Sequence, residues 1–525
     1  MKHRRCLKET LYPFAIVSSV VAIFFLLKQP NIDGVPASLP ALYDLKARNV
    51  TEIGGLEQAQ DQLHGNYSKE NYGAEDNLKS GIMSQMWSPP AAPQFNETFK
   101  EGISPTASLE EEEEDPAFVL LPKKLYNMTI ARMNKLLDKF LSNPKSMDRK
   151  WQSRADHKLR EAKSAIESDG GWSYGDELYP PLYRNISMFV RSYELMEKMA
   201  KVYIYKEGEG PIFHQAVIQG IYASEGWFMK QLVASKKYVT RNPEEAHLFY
   251  LPFSSKNLQQ TLYVPQSHTL HNLVNYLNSY LTNISSKYPF WNRTNGADHF
   301  LVACHDWAPR ETQQRMSNCI RALCNSDLEE GFNLGNDVSL PETLVRWPKH
   351  LGRGIGGKPP EERWILAFFA GNMHGYLRPI LVEQWGGKDP EMRIYGKMPK
   401  SRRMMNYAQH MKSSRYCICA RGYEVNSPRV VEAIYYECVP VIISDNFVPP
   451  LFSVLNWEAF AVFVLERDLP NLKLILRSIP NERYLQLHMA LKRVRLHFLW
   501  HSKPLKYDLF HMILHSIWFN RLLTA

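Results

Sequence analysis

Two groups of polar residues in this chain have the types and spacing to do chemistry. The first lies in Arg415–Pro450, RYCICARGYEVNSPRVVEAIYYECVPVIISDNFVPP. Arg421 and Gly422 stand just before a helix start, where Ser427 is the N-cap and Pro428 the first helical residue. Free backbone N–H groups and the helix dipole favour an anion at such a place. Arg429 and Glu432, three residues apart, share a helix face. A guanidinium suits a diphosphate, and a carboxylate can accept both hydroxyls of a ribose. Glu424, in the same loop, joins this set. A plain helix cap with a surface Arg–Glu pair would be written with the same letters. The second group is His305-Asp306, an imidazole able to take a hydroxyl proton beside a carboxylate able to orient it. The competing reading is that both only build a cleft wall through hydrogen bonds.

The elements that must position these groups are strands and helices in alternation. YCIC (Tyr416–Cys419) reads as a buried strand, and the next helix has Val430, Val431, Ile434 and Tyr435 on its apolar face. VPVII (Val439–Ile443) is a second buried strand ending in the polar turn SDN. Strand, loop, helix and strand make a βαβ unit, and ligands of open parallel sheets sit at the carboxyl ends of the strands. HFLVAC delivers His305-Asp306 from such an end. WILAFFAG, followed by a helix whose first turn holds Arg378, is a second plausible phosphate cradle. KVYIY, a helix over Gly220–Ser235, HLFYLPF and a helix over His268–Ile284 continue the pattern towards the N-terminus. GRGIGG (Gly352–Gly357) spells a dinucleotide fingerprint, yet no strand precedes it closely and Lys358-Pro359-Pro360 follows, so it reads as a linker.

Composition bounds the rest. With 525 residues, 44% of them hydrophobic, the chain has material for more than one domain. A net charge of +9 from scattered Lys and Arg argues against nucleic acid and suits an acidic polysaccharide or a nucleotide diphosphate. LYPFAIVSSVVAIFFLL (Leu11–Leu27) is an uncharged, mostly apolar run behind four basic residues. It reads as a single-pass signal anchor with a cytosolic tail and a luminal body, or else as a cleaved secretory signal. Sequons at Asn49, Asn66, Asn96, Asn127, Asn185, Asn283 and Asn292 fit a luminal chain. Of seven cysteines, Cys6 lies on the cytosolic side, and the other six permit disulfides whose connectivity the sequence leaves open. The stretch from Pro30 to Asp115 is polar, broken by Pro and Gly, and reads as a flexible stem.

From about Tyr183 to the C-terminus the chain resembles the plant branch of the exostosin family, glycosyltransferase family 47. The resemblance is carried by KVYIYKEGEGPIFH, PEEAHLFYLPF, YPFWNRTNGADHFLVACHDWAP, RALCNSDLEEGF, DVSLPE, AFFAGNMHG, GYEVNSPRVVEAIYYECVPVIISDNFVPPLFSVLNW and FHMILHSIWF. It implies a two-lobed α/β fold of GT-B type, a Golgi type II membrane protein, and transfer of sugar from a nucleotide diphosphate sugar to a cell-wall polysaccharide, with inversion. The loop reads ARG where plant relatives commonly have a Pro-Ser-Gly turn, and Glu437 stands where a small residue, often Gly, is usual.

The expected organisation is a tail over 1–10, an anchor over 11–27, a stem over 28–120 and a helical neck over 121–182. An acceptor lobe over 183–350, a linker over 351–362 and a nucleotide-sugar lobe over 363–525 follow. His305 and Asp306 are the expected catalytic pair. Arg378, Arg421, Gly422, Glu424, Ser427, Arg429 and Glu432 are the expected donor site. The chain contains no D-x-D, so no cofactor or metal is expected and Arg residues must stabilise the leaving diphosphate. The expected partners are a UDP-sugar, a polysaccharide acceptor, the Golgi membrane and other glycosyltransferases. A non-catalytic Golgi partner or a polysaccharide-binding protein keeping the fold are the alternatives.

Overall fold

The computed structural model describes residues 128–142, 153–167, 175, 177–215, 217–398 and 405–524. The expected tail, anchor and stem, and four of the sequons, lie outside the described residues. Among the described residues no helix is long and apolar enough to cross a membrane.

Two parallel sheets organise what is described. The first has six strands in the order β2-β1-β3-β4-β5-β6. These are β1 (Val202–Ile204), β2 (Val239–Thr240), β3 (Leu248–Tyr250), β4 (His299–Ala303), β5 (Ile320–Leu323) and β6 (Val338–Ser339). The second has five strands in the order β11-β10-β9-β7-β8. These are β7 (Ile365–Ala370), β8 (Met392–Tyr395), β9 (Ser414–Ala420), β10 (Val439–Ile443) and β11 (Val462–Phe463). Every residue of β4, β7 and β10 is buried. Helices cover both faces of a parallel sheet, so its strands read as continuous apolar runs. In the second sheet β9 is central, with Val439 through Ile443 paired to Tyr416 through Ala420 and Ala367 paired to Tyr416.

The helices follow in chain order: α1 (Ile130–Ser142), α2 (Arg154–Glu167), α3 (Ile186–Met199), α4 (Ala223–Ala234), α5 (Ser255–Leu262), α6 (His271–Lys287) and α7 (Phe290–Thr294). Next come α8 (Ala308–Thr312), α9 (Leu377–Trp385), α10 (Tyr407–Ser413), α11 (Pro428–Tyr435), α12 (Leu472–Ser478), α13 (Asn481–Val494) and α14 (Leu509–Leu523). The helix expected from Gly220 begins only at Ala223. Gly220 takes a φ of +89° and exchanges both backbone hydrogen bonds with Val345, which holds it out of the helix. GRGIGG is loop, with Gly354 and Gly356 at positive φ and the Gly356 N–H bonded to the Tyr435 carbonyl.

The C-terminal helix α14 crosses back and packs on α2, α3, α4, β5 and β6. Its buried Arg521 pairs with buried Asp156 of α2 and donates to the His247 carbonyl. Replacing one member of such a pair would strand the other charge in apolar surroundings.

Two disulfides form. Cys417–Cys438 joins β9 to the residue preceding β10, and Cys304–Cys324 joins the carboxyl ends of β4 and β5. Cys319 and Cys419 are buried free thiols. Glu437 has a φ of +56°, the left-handed conformation for which glycine is suited. Its carboxylate pairs with Arg495 at 2.5 Å, a contact glycine could not make, which offsets part of the backbone cost.

The loop after β10 clamps the two sheets together. Ser326 and Ser339, beyond β5 and in β6, both donate to the Val448 carbonyl, at 2.7 and 2.6 Å. Asn426 donates to the Cys324 and Leu340 carbonyls. The carboxyl ends of β4, β5 and β6 therefore meet the loops that follow β9 and β10.

Candidate active site

Asp306 and Glu424 come together where these strand ends meet. Asp306, 9% exposed, accepts a hydrogen bond from the Tyr222 hydroxyl at 2.7 Å. Asn325, just beyond β5, donates to the Asp306 backbone carbonyl at 3.0 Å and to Glu424 at 2.6 Å. One amide thus links a carboxylate-bearing segment of the first lobe to a carboxyl group of the second. Burial, and then the Asp306 charge, raise the Glu424 pKa well above the usual carboxylate range. A carboxyl group raised in this way keeps its proton and can donate a hydrogen bond.

His305 is also buried here, its ring 5.2 Å from that of Tyr222 and 5.0 Å from that of Trp307. Its Nδ1 accepts from the Trp307 backbone N–H at 3.3 Å. In the neutral ring that acceptance puts the proton on Nε2, leaving the outer nitrogen a donor. The imidazole is thereby better arranged to donate than to abstract a proton. The strand end is fixed from below by Glu225 of α4, which accepts from the Cys304 N–H at 2.9 Å and from Ser255. The Ser255 hydroxyl in turn accepts from the His305 N–H at 2.9 Å.

Arg378 and Arg429 form the cationic half of the site. Ser427 caps α11, accepting from the Arg429 N–H, and its hydroxyl also receives Arg429 Nη1 at 3.1 Å. Arg429 Nε and Nη2 donate to the Ala370 carbonyl at the end of β7. Arg378, 6% exposed, donates to the Ala420 and Asn372 carbonyls, each at 3.3 Å. Neither guanidinium has a carboxylate salt bridge among the described residues. Burial and the neighbouring Arg429 charge bring the Arg378 pKa down to about 9, with Glu342 opposing. Gly371 and Gly422 leave room for these guanidinium groups: a Cβ on Gly371 would lie 2.0 Å from Arg429 Nη2, and one on Gly422 2.6 Å from Arg378 Nη2, and would displace them. Two neighbouring cations at helix starts, Arg378 buried and Arg429 partly buried, both held mainly by backbone carbonyls, are arranged for an anion.

Arg421 is placed differently from the expectation of a phosphate contact. Its guanidinium pairs with Asp327 of the first lobe at 3.1 Å, and Asp327 is pushed up to about 7 by burial against the pull of Arg421. Arg421 therefore ties the lobes. Glu432 lies one turn beyond Arg429 and accepts from the Tyr407 hydroxyl at 2.9 Å and from Arg346 at 3.3 Å. It is directed towards the hinge between lobes rather than paired with Arg429.

The structure thus brings Asp306 and Glu424 together beside His305, and Arg378, Gly422, Ser427 and Arg429 together at the start of α11, with Glu432 directed towards the hinge. Sequence reasoning missed Tyr222, Asn325, Glu342, Arg346 and Tyr407. A signal existed for Asn325 and Glu342: both follow buried strands, and the strand-end rule applied to HFLVAC holds equally for RALC and DVSL. Tyr222 and Tyr407 gave no signal, since each precedes or opens a helix in a way any core aromatic could.

Two parallel-sheet lobes meeting at their strand ends form an α/β fold consistent with the GT-B arrangement of glycosyltransferases. The Exostosin GT47 domain matches residues 196–479, more than half of the chain, which therefore belongs to that family. A probable glycosyltransferase of Arabidopsis thaliana is 44% identical over 345 residues, 65% of this chain and 66% of that relative. A second from the same plant is 43% identical over 371 residues, 69% of this chain and 78% of the relative. A probable beta-1,4-xylosyltransferase of Arabidopsis thaliana, IRX10, is 30% identical over 371 residues, 66% of this chain and 84% of the relative.

Proposed function

We propose that this chain transfers a glycosyl group from a nucleotide diphosphate sugar, UDP-linked, to a polysaccharide or glycan hydroxyl with inversion. The observation that carries the reading is a pair of neighbouring guanidinium groups, buried Arg378 at the start of α9 and partly buried Arg429 at the Ser427-capped start of α11. They hold the diphosphate, and Glu432 accepts the ribose hydroxyls. Asp306 takes the proton of the acceptor hydroxyl. The acceptor oxygen forms its bond to the anomeric carbon as the bond from that carbon to the diphosphate oxygen breaks. The electron pair goes to the diphosphate, whose developing charge is stabilised by the two guanidinium groups and the helix dipole. Glu424, neutral, and His305, protonated on Nε2, donate hydrogen bonds to sugar oxygens. Charge neutralisation by arginine supports a reaction that proceeds without a metal ion.

The purified full-length chain, given a panel of UDP-sugars in EDTA, is expected to hydrolyse at least one of them slowly and to transfer it once an acceptor glycan is added. Absence of binding and turnover across the panel would leave a non-catalytic partner that keeps the fold. Turnover that appears only after manganese is restored would overturn metal independence.

We also propose a Golgi location, with Leu11–Leu27 as signal anchor and the body in the lumen. The exposed sequons Asn185, Asn283 and Asn292 and the two disulfides support it. Protease added to intact Golgi vesicles should spare the body, and its digestion from outside would sink the type II orientation.

A further inference from the structure

From Arg346 to Lys358 the segment that joins the lobes reads RWPKHLGRGIGGK, with Arg346, Lys349, Arg353 and Lys358 and no Asp or Glu. Lys349, His350, Arg353 and Lys358 are exposed. Lys412 of α10 comes beside them: its carbonyl accepts from the Lys358 N–H at 3.2 Å, and its ammonium lies over the Tyr436 ring. Arg346 pairs with Glu432 at 3.3 Å. Among the described residues Lys349, Arg353, Lys358 and Lys412 have no carboxylate partner. On a loose loop such a run would be a solvated surface and no more.

This segment is tied down along its length. At one end Val345 exchanges both backbone hydrogen bonds with Gly220, and Gln219 donates to the Arg346 carbonyl. At the other, the buried Arg363 guanidinium donates to the Lys358 carbonyl at 2.8 Å and to the Ser414 and Tyr436 carbonyls. Between them, two successive turns run from the His350 N–H to the Trp347 carbonyl and from the Arg353 N–H to the His350 carbonyl. Like charges fixed side by side repel one another, and an anion of several charges relieves the repulsion. Trp347, 63% exposed, lies beside Arg346, His350 and Arg353. An indole face held open to water among cations suits a sugar ring, whose C–H face stacks while its hydroxyls stay solvated.

We propose that the joining segment is a holding surface for an acidic polysaccharide, a polymer of repeated carboxylates, bound by charge at Lys349, Arg353, Lys358 and Lys412 and by stacking on Trp347. The inference rests on the glycosyl-transfer reading above and deepens it by naming the class of acceptor. The cations follow one another along the chain, which suits a linear polyanion better than a single compact anion. They also lie apart from Asp306 and Glu424, whose carboxyl groups would disfavour an acidic residue at the reaction centre. Arg346 brings the strip to the hinge side of the cleft through Glu432. A polymer held there raises the local concentration of its reactive end.

Calorimetry on the full-length chain tests this, with polygalacturonate, the same polymer with its carboxylates reduced to alcohols, and UDP as probes. The wild type should bind polygalacturonate less tightly as salt rises, and bind the reduced polymer more weakly. The triple variant Lys349→Gln, Arg353→Gln, Lys358→Gln should lose roughly tenfold for polygalacturonate, the combined effect of three exposed ion pairs. Its affinity for UDP should stay within about twofold of wild type, and Trp347→Ala should weaken polygalacturonate binding without touching UDP. All four side chains are exposed, so the variants should fold, which circular dichroism verifies. Equal affinity of the wild type for the two polymers would overturn the proposal, as would a folded triple variant that binds polygalacturonate normally. Binding to vesicles of phosphatidylcholine and phosphatidylserine that the triple variant loses, without any binding of polygalacturonate, would make the strip a membrane contact instead. A wild type that binds polygalacturonate yet neither binds UDP nor turns over any UDP-sugar would bring down the transfer reading, and the acceptor role with it.

Discussion

Asp306→Asn is expected to lower kcat by about 10²–10⁴-fold while leaving donor affinity nearly unchanged. The asparagine keeps the volume and can still accept from the Tyr222 hydroxyl, 2.7 Å away in the wild type. What it loses is the lone pair basic enough to receive the acceptor proton. His305→Ala should cost less, because an imidazole with Nδ1 engaged by the Trp307 N–H offers a proton on its outer nitrogen rather than a site for one. The opposite ranking, with His305→Ala abolishing turnover and Asp306→Asn tolerated, would return the base to the histidine.

Glu424 adds a pH signature to the same experiment. Its pKa is raised in the folded protein by burial and by Asp306, so the proton stays on below that raised value. As pH climbs through it, Glu424 ionises, a second negative charge faces Asp306, and a hydrogen-bond donor is lost. Activity should therefore fall on the alkaline side. Glu424→Gln, which cannot ionise, should flatten that limb. Persistence of the limb in Glu424→Gln would assign it to another group.

Arg378→Met is the second large effect. Charge-assisted hydrogen bonds contribute about 1.5–3 kcal/mol each, so losing this guanidinium should weaken UDP binding by roughly 10–150-fold. Stability should move less, or the other way. The pKa of Arg378 is held down to about 9 by burial and by Arg429, which says that the unliganded fold carries an unfavourable charge pair there. Removing one member relieves that repulsion, and sites arranged for a ligand commonly gain stability when simplified. Arg378→Lys should rescue affinity only in part, because an ammonium lacks the planar fork. Thermal melting with and without UDP reads both quantities at once. A variant that melts lower yet binds UDP normally would make Arg378 a structural strut between Ala420 and Asn372.

Much of this was written in the sequence. The apolar runs of β4, β7, β9 and β10 are fully or almost fully buried, and a parallel sheet covered on both faces demands such runs. Ser427-Pro428 fixed the start of α11 by capping chemistry that operates over three residues. His305, Asp306, Arg378 and Arg429 could be named because strand ends and helix starts are local features with known polarity.

Tertiary structure decided which partners those groups meet. Arg421 stands before α11, where an anion site was expected, yet its partner Asp327 is 94 residues away on the other lobe. Asn325 reaches Glu424 over 99 positions, and Arg346 reaches Glu432 over 86. Local propensity acts within a turn or two of chain, so it can say where a side chain leaves the backbone. Which charge it meets, and therefore whether a carboxyl keeps its proton or a guanidinium is free for a phosphate, depends on how two separately wound sheets are pressed together at their carboxyl ends.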